Sequence, residues 1–376
     1  MRTIIVGGGA SGLYLGSLLS DAVILEKNEV PGRKLLLTGG GRCNVTHRAD
    51  VEALLPHYNG NRMLLKKVLY KHKPEDIMKR FEALPVPLKE EGDGLIFPVS
   101  DRAEDVRNAL LERCADIIHT TVTGAEKYGD TFIVHTSGGS IECDRLVIAA
   151  GGRAYSATGS DGSGYALAES FGHSIAPLHP SLSPLSLADR LSGSEGITLA
   201  VTLRSRKRKV TGDIVITPKG ISGPAAMNIS SDYSTRDEIM ITFLQVSKDD
   251  LRTEPKKELK NVVPLPSRLL SSLFGPLADK KTGNLSKAEM NHVIETLTAF
   301  RTEASALSAS AMVTAGGVQC SEINPDTMES KLVKGLYFVG EVVDVDGECG
   351  GYNLTWAFSS AYSVYKAIIG QEPPLC

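Results

Sequence analysis

The sequence predicts an α/β protein in which a parallel sheet is built from both ends of the chain and interrupted by a long, largely β insertion. Three observations predict it. Residues 2–27 read strand, glycine turn, helix, strand. A second strand–glycine–helix succession runs from Leu336 past Gly350-Gly351. Between Ser183 and Ala311 the texture shifts to short alternating strands with hairpin turns, then to the leucine-spaced "PSRLLSSLFGPLADKKTGNLSKAEMNHVIETLTAF". With 376 residues, the chain has room for two or three domains.

The first element is a strand. Ile4, Ile5 and Val6 form an unbroken β-branched run, the pattern of a strand buried on both faces. Gly7-x-Gly9-x-x-Gly12 follows. The first glycine makes the tight turn, the second lets backbone approach a pyrophosphate, and the third lets helix and strand pack closely. The helix opening at Ala10 and Ser11 offers free N–H groups and its dipole to the phosphates. A lone GxGxxG is weak, but here the strand "AVILE" comes next and ends in Glu26, with Lys27 after it. That carboxylate has the spacing of the group that binds a ribose 2′-hydroxyl, where an arginine would have pointed to a 2′-phosphate. The unit binds an ADP moiety, and its ligand is FAD or NAD.

The far end selects FAD. "KGLYFVGEVVDVDG" reads as a strand from Leu336 to Val339 ending in Gly340-Glu341, an acid placed to hydrogen-bond a ribityl chain. "GGYNLTWAFSSAYSVYKAII" reads as a helix opening at Gly350-Gly351, with Tyr352, Asn353 and Leu354 in its first turn. Its N-terminus would face the negative charge that a reduced flavin carries near N1 and O2. Tyr352 and Asn353 are read as shaping and hydrogen-bonding the flavin site. "CDRLVIAAGG" is a buried strand ending in Ala150, Gly151 and Gly152, suited to the same sheet.

Residues 36–46, "LLTGGGRCNVT", lack the Lys-Ser or Lys-Thr of a P-loop. Gly39, Gly40 and Gly41 permit positive φ and let N–H groups line up as an anion nest, to which Arg42 and the upstream Arg33-Lys34 add charge. The stretch through Asn44 is read as backbone wrapped around the FAD pyrophosphate and flavin edge. Cys43 is read as a small apolar filler against the flavin. Cys349, just before the second helix, is the candidate proton donor, on the expectation that a helix N-terminus lowers its pKa.

Between these landmarks, residues 60–85 carry apolar and basic residues at helical spacing, read as a solvated lysine-rich face. "LIFPV" is strand-like with a turn at Phe97-Pro98, and Ser100 or Asp101 can cap the next helix. Residues 116–150 alternate as a β-meander, in which Val122 is assigned to the cofactor. Thr158–His173 is read as a glycine-rich lead into a helix, a loop abutting FAD rather than a second phosphate loop, and His179 as part of a proline turn at a domain junction. No second full fingerprint appears, so NADH or NADPH would bind transiently or not at all. "RSRKRK", Arg204 to Lys209, lies in a predicted hairpin and is the densest basic run.

A formal charge of −3 gives no global basic excess, so a nucleic-acid role would need such a local patch. Six scattered cysteines without a C-x-x-C pair predict no metal site and fit a reducing, cytoplasmic setting. The apolar start resembles a signal peptide, but its glycines have nucleotide phasing and no A-x-A follows. No apolar run of membrane-spanning length predicts a membrane partner.

"GRKLLLTGGGRCNVT", "GDIVITPKGISGPA", "TAGGVQCSEINPDTMESKLVKGLYFVGEVVDVDG" and "GGYNLTWAFSSA" resemble a bacterial family of FAD-dependent oxidoreductases, the HI0933-like flavoproteins, over nearly the whole chain. The resemblance implies a glutathione-reductase-like FAD-binding Rossmann domain with an inserted β-barrel and a small helical subdomain. The FAD domain would take 1–183 and 313–376. The barrel would take 184–248, the helical subdomain 249–300, and 301–312 would return through the barrel. The resemblance also places Phe97-Pro98 near the flavin cleft. It implies no single substrate, since members have been linked to bile-acid ring reduction, aminoacetone oxidation and ribosomal-RNA dihydrouridine formation. The function expected is transfer of hydride from NADH or NADPH through FAD to an unsaturated small molecule. The alternatives are reduction of a uridine in ribosomal RNA, with the basic hairpin and lysine-rich helix as footprint, and a non-catalytic FAD redox sensor.

Overall fold

A computed structural model describes residues 2–114, 116–189 and 191–370; Cys376 lies outside them. Among the described residues, no helix is long and apolar enough to cross a membrane. The chain divides into two compact units, one running to His179 and resuming at Val313, the other Pro180–Met312.

The first unit is built on strands β1 (Thr3–Val6), β2 (Ala22–Glu26), β3 (Asp116–His119), β4 (Arg145–Ile148) and β5 (Leu336–Phe338), with helices α1 (Ala10–Gly16) and α2 (Tyr352–Ile369). The sheet order is β5-β4-β1-β2-β3 and every pairing is parallel. β1 and β2 are buried at every position, as an unbroken apolar run requires of a sheet covered on both faces. Fully burying an isoleucine such as Ile4, Ile5 or Ile24 contributes about 1.5–3 kcal/mol each. α1 lies so close to β1 that a Cβ on Gly12 would stand 1.9 Å from Gly7 O. α2 packs on α1, with the Tyr14 and Phe358 rings stacked at 4.7 Å.

The excursion between β2 and β3 forms helices Arg62–Lys71 and Pro74–Ala83, the hairpin Leu88–Glu91 with Leu95–Pro98, and helix Ala103–Leu111. The basic stretch therefore breaks at Pro74, which serves as the first residue of a new helix. Phe97-Pro98, read as a turn, closes a strand instead, pairing with Lys89 and Leu88. Pro98 is tolerated because it is the last residue of that strand. Neither proposed residue caps Ala103–Leu111. Its N-cap is Arg102, without a side-chain hydrogen bond, because the Asp101 carboxylate is held by Lys89 at 2.6 Å and by Arg42.

The meander appears as three antiparallel strands, Val122–Tyr128, Thr131–Thr136 and Gly139–Cys143. The segment around His179 is not a turn. Ile175–Ser181 is a strand paired with Val313–Val318, and prolines fit there because both strands of a two-stranded sheet are edges.

The second unit contains a closed barrel. Its strands follow the order Leu185–Leu187, Gly220–Ser222, Lys209–Thr217, Thr198–Arg204, Asp237–Thr242, Phe300–Ala306, and the last pairs back to the first. Alternating positions Val201 and Leu203, Ile214 and Ile216, and Ile239 and Ile241 fill its interior. Helices between Lys248 and Ala299 form a separate core around Leu259, Leu270, Met290 and Val293.

Candidate dinucleotide-binding site

The carboxyl ends of β1, β2, β4 and β5 converge on one edge of the sheet, where open parallel sheets bind ligands. β1 runs into Gly7, at φ +105, where a Cβ would meet Ala149 O at 2.6 Å. Gly9 is different. Its φ of −80° suits any residue, and a Cβ there would find no atom within 4 Å. No neighbour in the fold requires a glycine at this position, so the space beside it suits a group that is not part of the chain. The first helical bond of α1 runs from Leu13 N–H to Gly9 O, and no side chain caps the N–H groups of Ala10, Ser11 and Gly12 before it.

Glu26, 6% exposed, closes β2. One carboxylate oxygen accepts Gly8 N–H at 2.7 Å; the other accepts the backbone and side-chain N–H groups of Asn28 at 2.8 and 2.7 Å. Asn28 also donates to Thr158 O at 3.2 Å, and Lys27 pairs with Asp161 at 2.7 Å, so both tie the glycine-rich 158–161 loop to this end. Among the described residues, Arg33 reaches Asn28 Oδ1, at 3.5 Å. Thr120 N–H bonds Glu26 O, which brings the start of the meander, with Val122, to the same end. Asn28 carried no signal in the sequence, because its role depends on a loop 130 residues away.

Gly39, Gly40 and Gly41 all have positive φ (57, 69 and 89°), as does Cys43 at 62°. A Cβ on Gly39 would meet Asn44 N at 2.8 Å and the Phe97 ring at 3.1 Å, so the loop is wound tightly on the hairpin. Arg42 lies over the Phe97 ring at 4.2 Å and pairs with Glu91 and Asp101, each at 2.6 Å. Its charge is committed to two carboxylates, which leaves anion binding to the backbone N–H groups. Burial raises the Cys43 thiol to about 12, in keeping with an apolar filler. Asn44 has its Oδ1 buried, with no hydrogen-bond partner among the described residues.

At the end of β5, Glu341 pairs with Lys34 at 2.8 Å and accepts Thr314 N–H at 2.9 Å. Thr314 Oγ1 in turn accepts the N–H groups of Arg153 and Ala154 at 2.7 and 2.9 Å. Behind β4, the Ala150–Gly152 stretch packs here; a Cβ on Gly152 would stand 2.5 Å from Glu341 Oε1. Gly340 N–H is bonded to Ser360 Oγ on α2 at 3.0 Å. Thr314, like Asn28, was not legible in the sequence.

α2 opens at Gly351, φ +90, with no side-chain cap; its first helical bond, Thr355 N–H to Gly351 O, leaves the N–H groups ahead of it without helical acceptors. A Cβ on Gly351 would lie 2.6 Å from Thr46 C and 3.0 Å from Asn44 Oδ1, so the helix start and the orphaned amide oxygen face each other. Tyr352 is stacked between His47 and His57, at 4.9 and 4.8 Å. Asn353 spends its amide on Gly347, accepting its N–H and donating to its carbonyl, and Leu354 is buried. Cys349 departs from expectation: burial pushes its thiol up to about 12 rather than down. It lies ahead of the Gly351 cap, outside the first turn, so desolvation dominates.

The set fits an extended dinucleotide. Glu26 can hold a ribose, the α1 N-terminus and the 39–41 backbone a diphosphate, and Asn44 with the start of α2 a ring with both donors and acceptors.

Over residues 1–367 the chain matches the model of the HI0933-like protein Rossmann domain. It is 30% identical to the ribosomal RNA dihydrouridine synthase of Escherichia coli strain K12 across 399 aligned residues, covering 98% of each chain. It is 32% identical to the 3-dehydro-bile acid delta(4,6)-reductase of Clostridium scindens across 405, covering 97% of this chain and 98% of that protein. The 3-ketosteroid delta1-dehydrogenase from Sterolibacterium denitrificans is similar in fold, with a TM-score of 0.50 at 13% identity over 99% of both chains.

Proposed function

The chain belongs to the HI0933-like family of FAD-binding oxidoreductases, and from this premise we propose that it reduces a carbon–carbon double bond conjugated with a carbonyl in a small molecule, with NADH or NADPH as hydride source. The names of both relatives describe that bond change, one on a uracil ring and one on a bile-acid ring. The observation that carries the reading is the buried, partnerless Oδ1 of Asn44 facing the uncapped start of α2. An acceptor beside backbone donors complements the alternating C=O and N–H edge of a flavin pyrimidine ring.

FAD, when bound, supplies the two-electron hydride chemistry. The N–H groups of α2 would stabilise negative charge on a bound flavin. Glu26 would hold the adenosine ribose, and Gly39–Gly41 with the α1 N-terminus the diphosphate. A thiol near 12 is a poor acid at neutral pH, so Cys349 is not assigned the proton.

Anaerobic mixing with NADPH or NADH should bleach the flavin absorbance, and an α,β-unsaturated ketone should restore it. Persistence of the oxidised spectrum with both nicotinamides would rule out the proposed donor. A second reading, reduction of a ribosomal-RNA uridine, is favoured by the 30% identical relative and by the basic hairpin, where Arg204, Lys207 and Lys209 are exposed. Mass spectrometry of ribosomal RNA from a deletion strain decides it, by loss of a dihydrouridine.

A further inference from the structure

We infer that Lys34 is a positioning residue for the cofactor, acting through Glu341: its ammonium neutralises this carboxylate and so allows it to stand in a cleft that must also accept a negatively charged diphosphate. The inference rests on the FAD reading above. Lys34 and Glu341 are 307 residues apart in sequence, and their side chains are 21% and 20% exposed. The pair lies at the carboxyl ends of the parallel strands. Gly340, the neighbour of Glu341, approaches the start of α1 so closely that a Cβ on it would stand 2.6 Å from Ser11 Oγ. The residue before Glu341 therefore packs directly on the start of α1.

The carboxylate contacts show why both groups can remain when a ligand arrives. Oε1 accepts Thr314 N–H at 2.9 Å and Lys34 Nζ at 3.1 Å; Oε2 accepts Lys34 Nζ at 2.8 Å. A carboxylate offers about four acceptor sites. One site, on Oε2, remains for a cofactor hydroxyl without displacing the lysine. Lys34 also reaches Ala154 O at 3.4 Å, which keeps its ammonium on the Glu341 side. Without that ammonium, a half-buried carboxylate would face the incoming diphosphate uncompensated.

The test is FAD release from diluted holoenzyme, followed by flavin fluorescence, for Lys34→Gln, Lys34→Arg and the double variant Lys34→Gln with Glu341→Gln. Lys34→Gln should bind FAD about tenfold more weakly, Lys34→Arg should match the wild type, and the double variant should regain most of the loss. A lysine that bound the diphosphate directly, rather than through Glu341, would not be rescued by removing its partner. If the double variant stays as weak as Lys34→Gln, or if Lys34→Gln binds normally, the inference is wrong. Should Lys34→Gln fail to fold, Glu341→Asp makes the same cut by withdrawing the carboxylate from Lys34, with the same tenfold weakening expected. Unweakened binding by Glu341→Asp would equally overturn the inference. A wild-type protein without FAD would instead overturn the reading on which it rests.

Discussion

At Gly9, glycine is explained by nothing in the fold, which makes it the sharpest residue-level probe of the site. Gly9→Ala should leave stability unchanged or raise it by about 0.4–1 kcal/mol through the unfolded chain, because φ −80° is ordinary and a Cβ meets nothing. FAD affinity should nonetheless fall. Equal FAD affinity in wild type and variant, alongside unchanged thermal melts, would show that the space beside Gly9 is not the cofactor's. The thiols give a pH prediction. Burial raises Cys43, Cys114, Cys143 and Cys349 from 9.0 to about 12 and Cys320 to about 11. Between those values the unfolded chain loses thiol protons that the folded chain keeps, so stability is intact below pH 9 and declines as pH rises towards 12. Melting temperatures measured across that window should fall, and less steeply in a Cys43→Ala variant.

At the level of elements, the start of α2 is the most constrained feature. Gly351→Ala adds a Cβ 2.6 Å from the Thr46 backbone at φ +90, so it should cost roughly 1–3 kcal/mol and weaken FAD binding, both readable from melts and flavin release. The hairpin Leu88–Glu91 with Leu95–Pro98 is joined to the glycine loop by alternating charges, Arg42 and Lys89 with Glu91 and Asp101. These groups are solvated, so salt should screen them. FAD release from the wild type should quicken with ionic strength, and this dependence should shrink in Arg42→Met, which keeps contact with Phe97. The local sequence of this hairpin reads as a turn and a capping acid. Tertiary contacts overrode both: Phe97 and Pro98 pair with Lys89 and Leu88 as a strand, and the Asp101 carboxylate is taken by Lys89 and Arg42.

On the scale of the molecule, the basic hairpin joins strands Thr198–Arg204 and Lys209–Thr217 of the barrel. Two of its cations are engaged. Arg208 pairs with the largely buried Asp232 and bonds Ser231 and Asn228, while the exposed Arg206 pairs with Asp237. Charge reversal at Arg208 would therefore test folding rather than RNA binding. Replacing Arg204, Lys207 and Lys209 by Glu should leave melting unchanged. If ribosomal RNA is the substrate, these replacements should lower RNA affinity and flatten its salt dependence by about one unit of slope per lost phosphate contact. Unaltered RNA binding would leave the hairpin as a solvated tip.

The sequence by itself determined the Rossmann architecture, since burial on both faces, a glycine turn and a terminal acid are local patterns. It determined the FAD-binding family as well, through motifs at both ends of the chain. Only the tertiary structure decided which charges are spent. Arg42 turns to Glu91 and Asp101, Lys34 to Glu341, and Asn28 and Thr314 enter the site unannounced. The physical reason is range. Strands, turns and helix starts are set by residues a few positions apart, whereas ion pairs and desolvation depend on groups that meet only after the two ends of the chain share one sheet.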